Sequence, residues 1–397
     1  MTAPQDTPLF SILLPTRNRL GLAKGMIATL LGQTCQDWEL IVADNASEED
    51  VGGYLAGLRD PRIRWLRSDE ALPVTDNWNR AIDAARGRLV VMMGDDDGLV
   101  PGALARIAAL ARDFPDAEAI YCGAWHFAFP GAIAVYPDGA LTDVTRLQLP
   151  LRGRHTPEPL PREEARALAL AALAMRCDYA FNMQHFVFTS RLLGRIRAHG
   201  AVFQGPFPDF YAANLALLLA ASVLAVPEPL VIIGISRKSY GHHHFRGDEA
   251  AGAAFLGIGA MLAGPEAGLA GALLPGSTMN SAWLLSVARV GAHLDLPVDV
   301  ARYRRLQVLG LLLADDPRAL HAALRPHLFG RERLLADLLL GLRRVTRALL
   351  WGRGRGLMGR LHTELARQYP PPPDPPPQPR IGGIADMPAL FRFLAAA

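Results

Sequence analysis

The chain is poor in cysteine, in lysine and in net charge, and it has no long apolar run. Each shortage closes off a class of function. Cys35, Cys122 and Cys177 are the only cysteines among 397 residues. Three separated thiols make neither a disulfide framework nor a zinc cluster, so a reducing cytoplasm is the expected compartment. Basic residues outnumber acidic ones by 41 to 38, a net charge of +3. No stretch interleaves aromatics with basic residues, and no nucleic-acid partner is expected. The longest apolar stretch, AAGAAFLGIGAMLAGP from Ala250, is rich in glycine and alanine and stops at Glu266. That is short of the ~20 residues that span a bilayer. The opening residues, MTAPQDTPLF, have no basic segment followed by an apolar core, so no secretory leader is expected.

What the chain does have is apolar residues, half of the total. They are enough for one large domain with an appendage, or for two domains. FSILLPTRN (10–18), WELIVADNAS (38–47), RIRWLRS (62–68) and RLVVMMGDDD (88–97) read as strands, whereas GLAKGMIATLLGQ (21–33) and VTDNWNRAIDAARG (74–87) have helical spacing. This alternation predicts a parallel sheet covered by helices. Such sheets bind ligands beyond the carboxyl ends of their strands, where Thr16, Asp44 and the triplet Asp95, Asp96, Asp97 all fall. Three adjacent carboxylates repel one another unless water or a cation offsets the charge, so a metal site is the first reading. A solvated loop, or an N-cap for a helix starting near Pro101, is the other.

SILLPTRNR, WELIVADNAS and DNWNRAIDAARGRLVVMMGDDDGLVPGAL, in that order and spacing, resemble the successive motifs of the inverting family-2 glycosyltransferases. The resemblance covers residues 9 to about 125, thins to about 245 and then stops. It implies an α/β chain of GT-A type: a Rossmann-like, mostly parallel sheet flanked by helices. It also implies a nucleotide-sugar donor, UDP favoured, a glycan or lipid-linked hydroxyl acceptor in cell-envelope or exported glycan synthesis, and a divalent metal, Mn or Mg. A hard cation held by carboxylates stabilises a diphosphate leaving group. The family's first acid is Gly94 here, which leaves the ligand register open by one residue. Asp96 is the first choice for the metal and Asp95 the second, also placed at the nucleotide. Asp97 joins the metal set, orients a ligand water or caps the helix. Asp44 would accept a hydrogen bond from the base, the alternative being an Asx turn; Pro15, Thr16 and Asn45 would line the nucleotide, and Arg17 would meet phosphate or stay at the surface.

In the second half, Asp209 precedes a long apolar helix in PFPDFYAANLALLLAAS and is the candidate general base, a simple N-cap being the alternative and Asp178 the competitor. By the same resemblance His242, His243 or His244 would complete the metal shell, with His242 and His244 preferred; a solvated loop is the other reading. The organisation expected is a tail (1–8), the transferase domain (9–245, divided near 125), a mainly helical region (246–368) and a proline-rich linker and tail (369–397). Residues 331–367 hold nine arginines against three acids, a pattern that suits either an anionic membrane surface or a solvated helix face. A nucleotidyltransferase would have a glycine-rich loop after the first strand, and PTRNRLGLAK is poor in glycine. An inactive nucleotide-binding scaffold is the remaining alternative, against which the intact triplet and Asp209 stand.

Overall fold

The computed structural model describes residues 7–133, 136–239, 267–312, 314–349 and 383–396. The N-terminal strands are β1 (Phe10–Thr16), β2 (Trp38–Asp44), β3 (Ile63–Arg67) and β4 (Leu89–Met92), followed by the short β5 (Gly98–Leu99). Next come β6 (Ala119–Ala128), β7 (Ala140–Asp143), β8 (Glu158–Leu160), β9 (Phe186–Thr189) and β10 (Val223–Ile235). All join one sheet in the order β3-β2-β1-β4-β9-β6-β10-β5, with β7 beside β6 and β8 beside β10. Strands β1 to β4 pair in parallel. β9 runs antiparallel to both β4 and β6, so β6 points the same way as β4, and β10 is parallel to β6. The carboxyl ends of β1, β2, β4, β6 and β10 therefore share one edge. The expected α/β sheet is present, with a parallel block β3-β2-β1-β4 and a parallel β6-β10 pair, joined and flanked by the antiparallel strands β5, β7, β8 and β9.

The near-continuous apolar runs of these strands follow from burial on both faces. Leu13, Ile41, Ala43, Val90 and Met92 point into one layer, and their neighbours Ile12, Leu14, Leu40, Val42 and Val91 into the other, the period of two of extended chain. Helices α1 (Leu20–Leu31), α2 (Val51–Leu58) and α4 (Ala103–Asp113) cover the second layer through Met26, Ile27, Leu30, Leu55 and Ile107. Helices α3 (Val74–Asp83), α5 (Arg162–Leu173), α6 (Ser190–Arg197) and α7 (Pro208–Leu219) cover the first.

The described residues from 267 onwards are helical, as expected: α8 (Thr278–Leu294), α9 (Val300–Leu309), α10 (Pro317–Leu324), α11 (Gly330–Leu349) and α12 (Met387–Ala396). Its first helix is not an appendage, because Ala282, Trp283, Leu284 and Leu285 of α8 lie in the same core as α5 and α7. A smaller cluster of Val308, Leu311, Leu324, Ala336 and Leu339 joins α9, α10 and α11. α12 returns to the sheet, where Met387 and Leu390 pack with Phe127, Leu141 and Ile232.

Two boundaries differ from the sequence reading by four residues or more. The helix expected over 74–87 ends at Asp83, because the backbone N–H groups of Arg86 and Gly87 turn to the buried Ser11 and Glu39 side chains. The strand expected to run to Asp97 ends at Met92, after which the Asp97 N–H turns back to the Gly94 carbonyl at 3.3 Å. The triplet thus lies on a loop between β4 and β5.

Candidate functional site

The parallel register places Thr16 of β1 beside Asp44 of β2, and Asp44 beside Arg67 of β3, in one row across the carboxyl edge. Pro15 is one step inside it, opposite Ala43. Asp44 is fully buried and its carboxylate is engaged: Oδ1 accepts from the Ser47 N–H at 3.0 Å, and Oδ2 from Trp65 Nε1 at 3.2 Å and Arg67 Nη1 at 3.1 Å. The bond to Ser47 closes the loop three residues on, not two as in an Asx turn. Asn45 holds the following loop by bonds to both the N–H and the carbonyl of Leu72.

The three aspartates have three separate surroundings. Asp95 is tied to the end of β1, its Oδ2 accepting from Thr16 Oγ1 at 2.9 Å and its Oδ1 facing Arg19 Nη1 at 3.2 Å. Burial pushes its carboxyl up to about 6; Arg19 opposes that rise and Asp96 adds to it. Asp97 accepts from backbone on both oxygens: Oδ1 from the Gly234 N–H at 2.9 Å, Oδ2 from the Gly94 N–H at 2.6 Å and also from Gln184 Nε2. Burial, and then the Asp96 charge, holds the Asp97 carboxyl well above the ordinary range. Asp96 is the one held by hydroxyls. Its Oδ2 accepts from Ser236 Oγ at 2.8 Å and from Ser239 Oγ, and among the described residues its Oδ1 receives no hydrogen bond.

Two glycines let β10 and the loop close on each other. A Cβ on Gly234 would sit 1.8 Å from the Asp96 carbonyl oxygen. A Cβ on Gly94 would sit 2.6 Å from Asp97 Oδ2, which explains why this chain has no side chain where the family pattern has its first acid. The Asp97 carboxylate fills that space.

These donors fit a divalent ion delivered with a diphosphate better than a cage made by protein alone. Among the described residues no group of three or more His, Cys, Asp or Glu side chains converges on one point. One oriented carboxylate, with phosphate oxygens and waters for the remaining positions, is how Mg²⁺ and similar hard ions bind nucleotides. The hydroxyls on Asp96 Oδ2 leave Oδ1 aimed elsewhere, the kind of orientation that neighbours of a metal ligand supply. His242 and His244 lie outside the described residues.

Asp209 stands in the first turn of α7. α7 leads into the start of β10 and is about 18 Å long, so its N-terminus returns to the carboxyl edge of the sheet. The Phe210 N–H donates to Asp209 Oδ1 at 2.8 Å, yet burial pushes the carboxyl up to about 7. Asp178 is close by: burial raises the Cys177 thiol to about 12, and the Asp178 and Asp209 charges both add to the rise. Asp178 faces Arg176 Nε at 3.6 Å, and its Oδ1 is buried without a partner.

Arg19, Gln184, Ser236 and Ser239 at the site were not singled out from the sequence. Arg17 is exposed, whereas Arg19 makes the contact to Asp95, because Asn18 at φ 53° turns the chain between them. Arg19 also donates to the Lys238 carbonyl, and Lys238 Nζ to the Asn18 carbonyl at 2.7 Å, which laces the β1 loop to the segment after β10. Ser236, Ser239 and Gln184 carry no motif. The only signal for the serines was their place after an apolar strand.

Residues 11–134 match the family model described as glycosyl transferase family 2. The chain is 31% identical over 140 residues to the putative colanic acid biosynthesis glycosyl transferase WcaA of Escherichia coli (strain K12), which covers 34% of this chain and 50% of that one. It is 30% identical over 118 residues to a PGL/p-HBAD biosynthesis glycosyltransferase of Mycobacterium tuberculosis (strain ATCC 25177 / H37Ra), covering 29% and 46%. The chain thus spans half the length, or less, of these curated relatives. TarS 1–349 of S. aureus, solved in complex with UDP, superposes with a TM-score of 0.45 at 12% identity over 87% of this chain and 93% of that one. The resemblance seen in the sequence over residues 9 to about 125 coincides with the matched family segment.

Proposed function

We propose that this protein transfers a sugar from a nucleoside diphosphate donor, UDP favoured, to a hydroxyl acceptor in glycan synthesis, with a divalent ion at Asp96 and inversion at the anomeric carbon. The observation that carries the reading is Asp96: a carboxylate at the meeting of β4 and β10, clamped on one oxygen by Ser236 and Ser239. The family-2 match over 11–134 and the biosynthetic glycosyltransferases among its relatives support the reaction class.

Each residue has a task in this reading. Asp96 would hold the ion, which would supply positive charge to offset the negative charge that grows on the leaving diphosphate. Asp95 holds Arg19 at the carboxyl end of β1, where its guanidinium meets phosphate. Asp97 is a strut that closes the loop onto Gly94 and Gly234. Asp44 acts through the side chains it orients, Trp65 and Arg67, both of which reach solvent and present an aromatic face and a donor to the base. Asp209 accepts the acceptor proton as the hydroxyl oxygen bonds to C1 opposite the departing diphosphate, and a carboxyl at about 7 is matched to that duty at neutral pH. The donor electron pair leaves with the diphosphate oxygen.

The test is turnover with a panel of nucleotide sugars, Mn²⁺ or Mg²⁺ and candidate acceptors, with the products resolved. Acceptor-dependent release of nucleoside diphosphate and an inverted product are expected. Pyrophosphate formation would reassign the chain to nucleotidyl transfer, a retained anomeric configuration would end the single-displacement scheme, and tight binding without turnover would leave a scaffold.

A further inference from the structure

Helix α11 (Gly330–Leu349) has two apolar faces but only one core to bury them in. Ala336, Leu339 and Leu340 turn inwards, the first two onto the cluster with Val308, Leu311 and Leu324. Leu334, Leu338 and Leu342, spaced by four and therefore stacked on one side of the helix, are 70%, 67% and 48% exposed. Phe329, just before the helix, is 74% exposed. Single apolar side chains at a surface need no explanation, but a row of three leucines beside a phenylalanine marks a surface that meets something.

The charges around the row indicate what it meets. Both acids of the helix are already engaged: Glu332 with Arg304 Nη2 at 2.7 Å, and Asp337 with His321 Nε2 at 2.6 Å and with Arg325 Nε at 3.9 Å. Arg331 and Arg333 are exposed on the same first turns. The chain from 331 to 367 has nine arginines against three acids, two of which are the paired Glu332 and Asp337. A second copy of the chain docking through this row would bring two arginine-rich helices together, which like-charge repulsion opposes. An anionic surface would not.

We propose that α11 is a peripheral membrane-binding helix that lies on anionic lipid, with Leu334, Leu338 and Leu342 in the headgroup–acyl boundary and the neighbouring arginines at the phosphates. Amphipathic helices with apolar and arginine-bearing faces bind bilayers in this way, by apolar burial plus attraction to anionic headgroups. The contact is independent of the sugar-transfer reading, because it uses no residue of the candidate site.

The experiment is flotation of the full chain with vesicles of phosphatidylcholine alone and of phosphatidylcholine with phosphatidylglycerol. The wild type should float with the anionic vesicles and lose the association as salt rises. The triple variant Leu334→Glu, Leu338→Glu, Leu342→Glu should bind about tenfold or more weakly at an unchanged melting temperature, since all three side chains face solvent. Leu338→Gln alone should give a smaller, graded loss. The proposal is overturned if the wild type does not float with anionic vesicles, if the triple variant floats equally well, or if sedimentation shows a wild-type dimer that the triple variant splits while neither binds lipid.

Discussion

Ser236 Oγ donates to Asp96 Oδ2 at 2.8 Å across 140 residues of sequence. The bond joins the end of β10 to the loop after β4, and Ser239 joins it on the same oxygen. Two side chains from the second half of the sheet thus aim a carboxylate of the first half. The two halves meet at this carboxylate because β6 and β10 run parallel to β4 and deliver their carboxyl ends to the same edge.

The Ser236→Ala variant removes one of the two hydroxyls that orient Asp96 and leaves Ser239 in place. Losing such a supporting bond weakens metal binding by about 10- to 100-fold. Calorimetric titration of Mn²⁺ with UDP should show that loss, with a higher metal requirement in turnover and little change in melting temperature. Wild-type metal affinity would remove Ser236 from the orienting role.

Asp96→Asn keeps an oxygen to accept from Ser236 and Ser239, so the loop should keep its shape. A neutral amide is a poor ligand for a hard cation, and metal-dependent diphosphate binding should fall by about 100-fold or more, a loss of about 2.7 kcal/mol or more. Binding of UDP measured with and without Mn²⁺ checks this. If the variant responds to metal as the wild type does, Asp96 is not the ligand.

Asp97 differs in kind. Both of its oxygens accept from backbone N–H groups, those of Gly94 and Gly234. Asp97→Ala takes the carboxylate away from these buried donors, at a cost of about 1–3 kcal/mol for each group left unsatisfied. Thermal unfolding should fall by several degrees whether or not metal and nucleotide are present. A variant of normal stability that has lost only metal binding would return Asp97 to the metal set.

The layout of the sheet edge was legible in the sequence because buried parallel strands are continuous apolar runs that stop abruptly at Thr16, Asp44 and the triplet. The differing roles of Asp95, Asp96 and Asp97 were not, since adjacent residues on a loop have no fixed facing until long-range partners such as Thr16, Ser236 and Gln184 are in place. Arg17 and Arg19 could not be told apart for a similar reason: the left-handed turn at Asn18 decides which one faces inwards. Helix α7 was legible from its apolar length, whereas the participation of α8 in the same core was not, because helix-to-helix packing has no local signature.

The return of α12 to the sheet gives a stability test far from the candidate chemistry. Leu390 is fully buried against Phe127, Leu141 and Ile232, and Met387 packs against Gly98, the residue after Asp97. Leu390→Ala should cost about 2–5 kcal/mol if α12 is an integral part of the fold. Denaturant unfolding gives the number. A change below the range of surface substitutions would mean that the helix is docked without contributing to stability.

The proton acceptor is the least redundant part of the proposed reaction, and its pH dependence has a definite sign. Burial raises the Asp209 carboxyl to about 7, so it is protonated and unable to act as a base below that value. Transfer at saturating donor should therefore rise with pH, reach half its maximum near 7 and level off above. Stability should run the other way. A carboxyl whose folded value is raised favours the folded state when protonated, so its contribution is full below the ordinary carboxylate range and is lost as pH climbs to about 7. Asp209→Asn cannot take a proton but keeps the size and the oxygen that accepts from the Phe210 N–H, so transfer should drop by roughly 100-fold or more while donor binding persists. At pH 8 the variant should melt no lower than the wild type, and higher if the buried charge is the main cost, by about 1 kcal/mol. Near-normal transfer by Asp209→Asn with the pH profile intact would move the role to Asp178, whose buried Oδ1 has no partner.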